Sequence, residues 1–263
     1  MNILVCVKRV PDTSENEIEI NSSGSDIDRE ELVYSINEPD NYAVEEAIQI
    51  ATKVGGEVTV VTVGDEEDEE VLRREMAMGA KNGVLISDDT FRGSDGRGLA
   101  NVLKAFVKKG DYDLVLTGVH AESGGAQVGG MLAAMLDYPF ASLVNAIEIL
   151  DQKTLKIGRE VEGGNHELSE IDLPCVLSIQ TGINEPRYVG MRGIRQVASI
   201  PIATFDAQEL ALTPEKVGTT GAKVRCLDYF VPATTSNARM LHGTVEEMAE
   251  QVLDLVMAKG GAR

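Results

Sequence analysis

The stretch Thr117-Gly118-Val119-His120-Ala121-Glu122-Ser123-Gly124-Gly125-Ala126-Gln127-Val128-Gly129 follows an apolar run, is rich in glycine, and leads into a helical pattern. Glycines let a backbone approach a ligand closely, and free N–H groups at a helix N-terminus cradle phosphate. The chemistry such a loop supports is nucleotide binding, with Glu122 either kept away from the phosphate or placed on a ribose hydroxyl. A tight strand-to-helix turn without ligand accounts for the same residues. A second clue is Asn37-Glu38-Pro39-Asp40, where Pro39 near the first helical position costs no helix hydrogen bond. Its plain reading is a cap and turn. A third is Asn184-Glu185-Pro186-Arg187-Tyr188-Val189-Gly190-Met191-Arg192-Gly193-Ile194, followed by Arg195. Apolar Met191 and Ile194 set beside Arg192 and Arg195 have the anatomy of a protein-docking patch, an apolar anchor within a charged rim. An internal loop with Met191 in the core is the alternative.

No catalytic or metal-binding constellation accompanies these stretches. His120, His166 and His242 fall in no hydrolase or metal motif, and only His120 sits at the end of a strand-like run. Cys6, Cys175 and Cys226 are scattered with no CxxC spacing, against a disulfide framework and against zinc or iron–sulfur ligation. A reducing, cytoplasmic setting is expected. The formal charge of −19 argues against nucleic-acid binding, which needs a basic face. No apolar run approaches the roughly 20 residues of a membrane span. The apolar stretch at 1–10 has its positive charges after it, the reverse of a signal peptide, and reads as a buried first strand.

The elements that must position these residues alternate along the first two-thirds of the chain. Runs at 3–7, 58–63, 84–86 and 114–117 are apolar and rich in β-branched residues, as in strands buried on both faces of a parallel sheet. Between and after them, helical patterns cover 39–53, 66–78, 99–109 and 127–136, the second opening on acids and closing at Gly79. This alternation predicts an α/β fold with a doubly wound, mainly parallel sheet. In such a fold the loops after Val7 and Val63, the Asn37 turn and the Gly118 loop converge on one crevice. Strand-like runs at 143–150, 155–161, 167–171 and 175–179 predict a small antiparallel addition at about 143–180 within a first domain, 1–204. Residues 205–263 read as a C-terminal arm with little core, ending in an amphipathic helix at 245–257, that docks either on its own body or on a partner subunit.

The blocks at 5–10, 37–39, 43–47, 77–80, 113–118, 159–164 and 184–188, with Gln127 and Gly129, fall in an order that resembles the electron-transfer flavoprotein β family over about residues 2–200. The resemblance implies an adenine-nucleotide α-hydrolase-like fold and a heterodimer with an α subunit that carries the redox-active FAD. This chain would itself bind AMP, or a second FAD as in flavin-bifurcating members, and have no catalysis of its own. By position, the nucleotide contacts implied are Cys6, Asn37, Glu38, Pro39, Asp40, Val63, Gly118, His120, Ala121, Glu122, Ser123, Gly124, Gly125, Ala126, Gln127 and Val128. Ala121 to Gly125 is one residue shorter than the family's usual loop, and Val119-His120 replaces the Arg-Gln of bifurcating members, which favours AMP. Met191 stands where the family presents a leucine to acyl-CoA dehydrogenases, with Arg192, Ile194 and Arg195 beside it. A quinone reductase or another acceptor would take the electrons, and the arm would dock on the α subunit. The rival class is a stand-alone adenine-nucleotide-binding regulatory protein on the same scaffold.

Overall fold

The computed structural model describes residues 1–119, 125–233, 238 and 240–260. The elements run β1 (Asn2–Cys6), β2 (Arg9–Pro11), β3 (Tyr34–Ile36), α1 (Glu38–Val54), β4 (Glu57–Val63), α2 (Glu69–Met78), β5 (Asn82–Ile86), α3 (Gly96–Val107), β6 (Leu114–Gly118) and α4 (Gln127–Leu136). Then follow β7 (Phe140–Ile149), β8 (Thr154–Val161), β9 (Asn165–Asp172), β10 (Cys175–Ile179), α5 (Met191–Val197), β11 (Ala203–Phe205), the single turn α6 (Gly218–Gly221) and α7 (Val245–Ala258). The main sheet has nine strands in the order β11-β5-β4-β1-β6-β10-β7-β8-β9, and β2 and β3 form a separate antiparallel pair.

The strand periodicity of two sorts the apolar side chains onto two faces. Ile3, Val5 and Val7 pack with Ala43 and Ala47 of α1 and Leu72 of α2. Leu4 points the other way, into a layer with Val102 and Phe106 of α3 and Leu132 of α4. Both faces of the central strands are therefore covered, which is why their sequences read as continuous apolar runs.

Several expected boundaries shift for local reasons. The helix expected at 66–78 is split into a 3-10 turn, Glu66–Asp68, followed by α2. The Asp68 carboxylate turns back to accept from the Asp65 N–H at 2.8 Å, so the first turn is tightened by its own acids. The helix expected from 99 begins at Gly96, because the Asp95 carboxylate caps it by accepting from the Gly98 N–H at 2.8 Å. Not all of the stretch at 143–180 is antiparallel. β7, β8 and β9 form that addition, but β10 lies between β6 and β7 and is parallel to both. A strand buried at every residue from Cys175 to Ile179 belongs to the interior of the sheet, covered on both faces.

The boundary placed at 204 falls inside β11, which pairs in parallel with β5. Leu210 and Val217 are also buried in the second core, so the body continues through α6. Beyond it the character changes. Val224, Leu227, Phe230 and Val231 are exposed, and among the described residues α7 buries none of its own. Among the described residues no helix is long and apolar enough to cross a membrane.

Candidate functional site

β1 and β6 are parallel neighbours, with Cys6 beside Thr117. From β1 the chain winds through α1 to β4, and from β6 it winds the opposite way through α4 towards β7. That reversal leaves a crevice at the carboxyl ends of the two strands, where open α/β sheets bind ligands. Asp40, in the first turn of α1, holds its floor together. Its carboxylate accepts from the Lys8 N–H at 3.0 Å and from the Gly118 N–H at 2.9 Å, tying the loops after both strands to one side chain. Burial pushes the Asp40 carboxyl up to about 6, against the hydrogen bonds that favour its charged form.

Gly118 is required by this contact. A Cβ there would lie 2.3 Å from Asp40 Oδ1 and 2.6 Å from the Asp40 backbone nitrogen. Gly129 is needed for a similar reason in the first turn of α4, where a Cβ would lie 2.5 Å from Ser178 Oγ. It sits over the buried Thr117–Ser178 hydroxyl pair, whose oxygens are 2.8 Å apart. At the N-cap of α4, Ala126 has φ 55° and offers no side-chain cap. A non-glycine residue held in the left-handed region stores about 1 kcal/mol or more of strain. Among the described residues no side chain caps the start of α4, whose first residues line the crevice, and a helix N-terminus of this kind favours an anion.

The cavity here measures about 1190 Å³. Of the residues expected from sequence, Cys6, Asp40, Val63, Gly118, Ala126, Gln127 and Val128 line it. Asn37, Glu38, Pro39 and Gly125 do not. Asn37 is buried as the N-cap of α1, and Glu38 points to solvent. His120, Ala121, Glu122, Ser123 and Gly124 lie outside the described residues. Burial, reinforced by the Asp40 charge, raises the Cys6 thiol to about 12, which disfavours the reactive thiolate.

Three walls of the cavity lie beyond the residues expected from sequence: Ser94-Asp95-Gly96 at the start of α3, Asp26 and Arg29 from the excursion between β2 and β3, and residues 222–226 with Tyr229. Ser94 and Asp95 carry a legible signal only as a helix cap, and Lys223 with Arg225 only as two cations in an acidic chain. Among the described residues, Lys8, Arg29, Lys223 and Arg225 line the cavity together with Asp26, Asp40 and Asp95, with Arg29 Nε bonded to Asp26 at 3.1 Å. The lining is thus slightly basic in a chain of charge −19.

The second candidate patch lies on the first face. Met191 opens α5 and is 66% exposed, with Arg192 and Arg195 exposed beside it. Ile194 is half-buried, and α5 packs on α2. The turn before it is bolted to α1. The Arg187 guanidinium donates to both carboxylate oxygens of Glu45 at 2.8 and 2.9 Å, and Asn184 Nδ2 donates to the Tyr42 carbonyl and to Glu46. Burial works to raise the Glu45 carboxyl, but the bonds from Arg187 and Gln49 hold it below its ordinary value.

The model of the electron transfer flavoprotein domain matches residues 26–210. The chain is 35% identical to the electron transfer flavoprotein subunit beta of Methylophilus methylotrophus over the whole of both chains. It is 35% identical to the caffeyl-CoA reductase-Etf complex subunit CarD of Acetobacterium woodii, over 98% of this chain and 99% of that one. It is also 32% identical to the acryloyl-CoA reductase electron transfer subunit gamma of Anaerotignum propionicum, over 98% and 99% respectively. Matched from end to end by subunits of this kind, on a doubly wound sheet with its crevice at the β1/β6 reversal, the chain belongs to the electron-transfer flavoprotein β-subunit family.

Proposed function

We propose that this chain is the β subunit of a heterodimeric electron-transfer flavoprotein, which holds AMP in the β1/β6 crevice and supports the FAD of an α subunit. It presents Met191 to an acyl-CoA or related dehydrogenase, and the electrons pass on to a respiratory or quinone acceptor. The observation that carries the nucleotide reading is the crevice itself. Asp40 fixes two loops there, the start of α4 lines it with no side-chain cap among the described residues, and four cations line the walls of an acidic protein. Such residues fit the phosphate and sugar of an adenine nucleotide. AMP has no redox chemistry, so its contribution is to stabilise the native state by binding to it. FAD on the partner supplies the redox chemistry; the residues of this chain bind, orient and dock.

The uncovered C-terminal region supports the partnership. α7 carries Val252, Val256 and Met257 exposed, and an apolar stripe of this kind is ordinarily buried against another surface. Co-expression with an α subunit of the same family tests the assembly. Native mass spectrometry is expected to find a one-to-one complex, and a chain that stays monomeric and flavin-free would sink the reading.

A second reading has one observation in its favour. The cavity of about 1190 Å³ exceeds the range of roughly 300–1,000 Å³ usual for small-molecule sites. It has room for FAD in place of AMP, as in a flavin-bifurcating complex. The number of FAD molecules per complex separates the two.

A further inference from the structure

The wall formed by residues 222–229 is held differently from the rest of the crevice. Among the described residues it is extended chain with no partner strand, and its own apolar residues Val224 and Leu227 are 68% and 86% exposed. Its hold on the body comes from backbone hydrogen bonds at its two ends. At one end Asp95 Oδ2 accepts from the Lys223 N–H at 2.6 Å and the Val224 N–H at 3.1 Å. Just before it, the Gly218 N–H donates to Ser94 Oγ at 2.7 Å. At the other end the Tyr229 N–H donates to the Gly24 carbonyl at 2.9 Å, on the excursion that carries Asp26 and Arg29. The segment therefore crosses from the N-terminus of α3 to the opposite rim, and Lys223, Arg225 and Tyr229 line the cavity beneath it.

We propose that residues 222–229 are a strap that closes the nucleotide site, latched by Asp95, and that they supply two of its cationic contacts, Lys223 and Arg225. This rests on the nucleotide reading above and extends it to a region that the sequence reads only as an arm docking on the body or on a partner subunit. A carboxylate accepting two backbone N–H groups makes strong, charge-assisted bonds. A segment with so few buried apolar contacts nevertheless opens at low free energy, independently of the body. The nucleotide thus stays enclosed while the latch holds, and leaves when the strap lifts.

The test uses the purified heterodimer loaded with radiolabelled AMP and chased with excess unlabelled AMP, or labelled FAD if FAD is what the complex carries. Asp95→Ala removes the latch but also the cap of α3. Lys223→Pro removes one strap N–H and leaves that cap in place. Both variants are expected to release label about tenfold faster or more than the wild type. In parallel, amide exchange is expected to find Lys223 and Val224 protected in the wild type and unprotected in Asp95→Ala. An unchanged release rate in a folded Lys223→Pro variant overturns the strap, as do unprotected amides in the wild type. A wild-type complex that holds neither labelled nucleotide overturns the site reading and the strap's contribution to it, whatever the exchange result.

Discussion

Glu75 gives the most quantitative test of the physical account. It lies on the buried face of α2, is fully inaccessible to solvent, and among the described residues has no hydrogen-bond partner at either carboxylate oxygen. Burial pushes its carboxyl from 4.5 up to about 8; the charges of Asp40 and Glu45 act in the same direction and Arg74 acts against them. A carboxyl raised in the folded state takes up a proton on folding. Its contribution is therefore most favourable below 4.5 and is lost as pH rises through about 8. At about 1.4 kcal/mol per pKa unit the full loss is about 5 kcal/mol, of which about 3.5 kcal/mol falls between pH 5 and 8. Glu75→Gln keeps the shape and removes the titration, so any cost of burying the amide is the same at every pH. Urea unfolding of wild type and variant, compared at pH 5, 6, 7 and 8, should show the variant gaining about 3.5 kcal/mol on the wild type across that range. Parallel pH profiles for the two proteins would refute the reasoning, because they would mean that Glu75 is ionised and solvated in the folded chain.

Three further outcomes are expected. Gly118→Ala places a methyl against Asp40 and should cost about 1–3 kcal/mol, with loss of bound nucleotide; a variant that melts and binds as the wild type does would contradict the Asp40 pin. Arg187→Ala leaves the Glu45 carboxyl buried without its charged partner. With Arg187 itself half exposed the cost should be about 1–3 kcal/mol, and the deficit should shrink as pH falls and Glu45 protonates; thermal melts at pH 4 and 7 check both size and sign. Met191→Ala truncates an exposed side chain, so melting should be unchanged while reduction of the complex by a dehydrogenase slows, with the flavin spectrum unaltered. Unaltered transfer kinetics would remove Met191 from docking.

Much of this architecture is legible because it is written in periodicity. The β-branched runs locate β1, β4, β5 and β6, and the reading of α4 at 127–136 and β10 at 175–179 matches the structure residue for residue. Asp40 and Gly118 are legible as neighbours of a crevice, though not as bonded to each other. What stays hidden has physical reasons. Glu45, Glu46 and Glu75 look like surface acids in a linear reading, because a helical pattern does not tell a buried ion pair or a buried neutral acid from a solvated one. The strap is invisible because its contacts are backbone N–H groups reaching Asp95 across more than a hundred residues, and backbone donors leave no mark on side-chain pattern. β10 falls in with the antiparallel strands in a linear reading because a short apolar run carries no information about strand direction.

The most direct measurement of the central claim is to denature the purified complex and quantify the nucleotides it releases. The account predicts one FAD and one AMP per heterodimer, with the AMP lost in the Gly118→Ala complex and the FAD retained. Two FAD and no AMP would transfer the crevice to the second reading. A complex that releases FAD but no second nucleotide of either kind would contradict the assignment of the β1/β6 crevice as a nucleotide site.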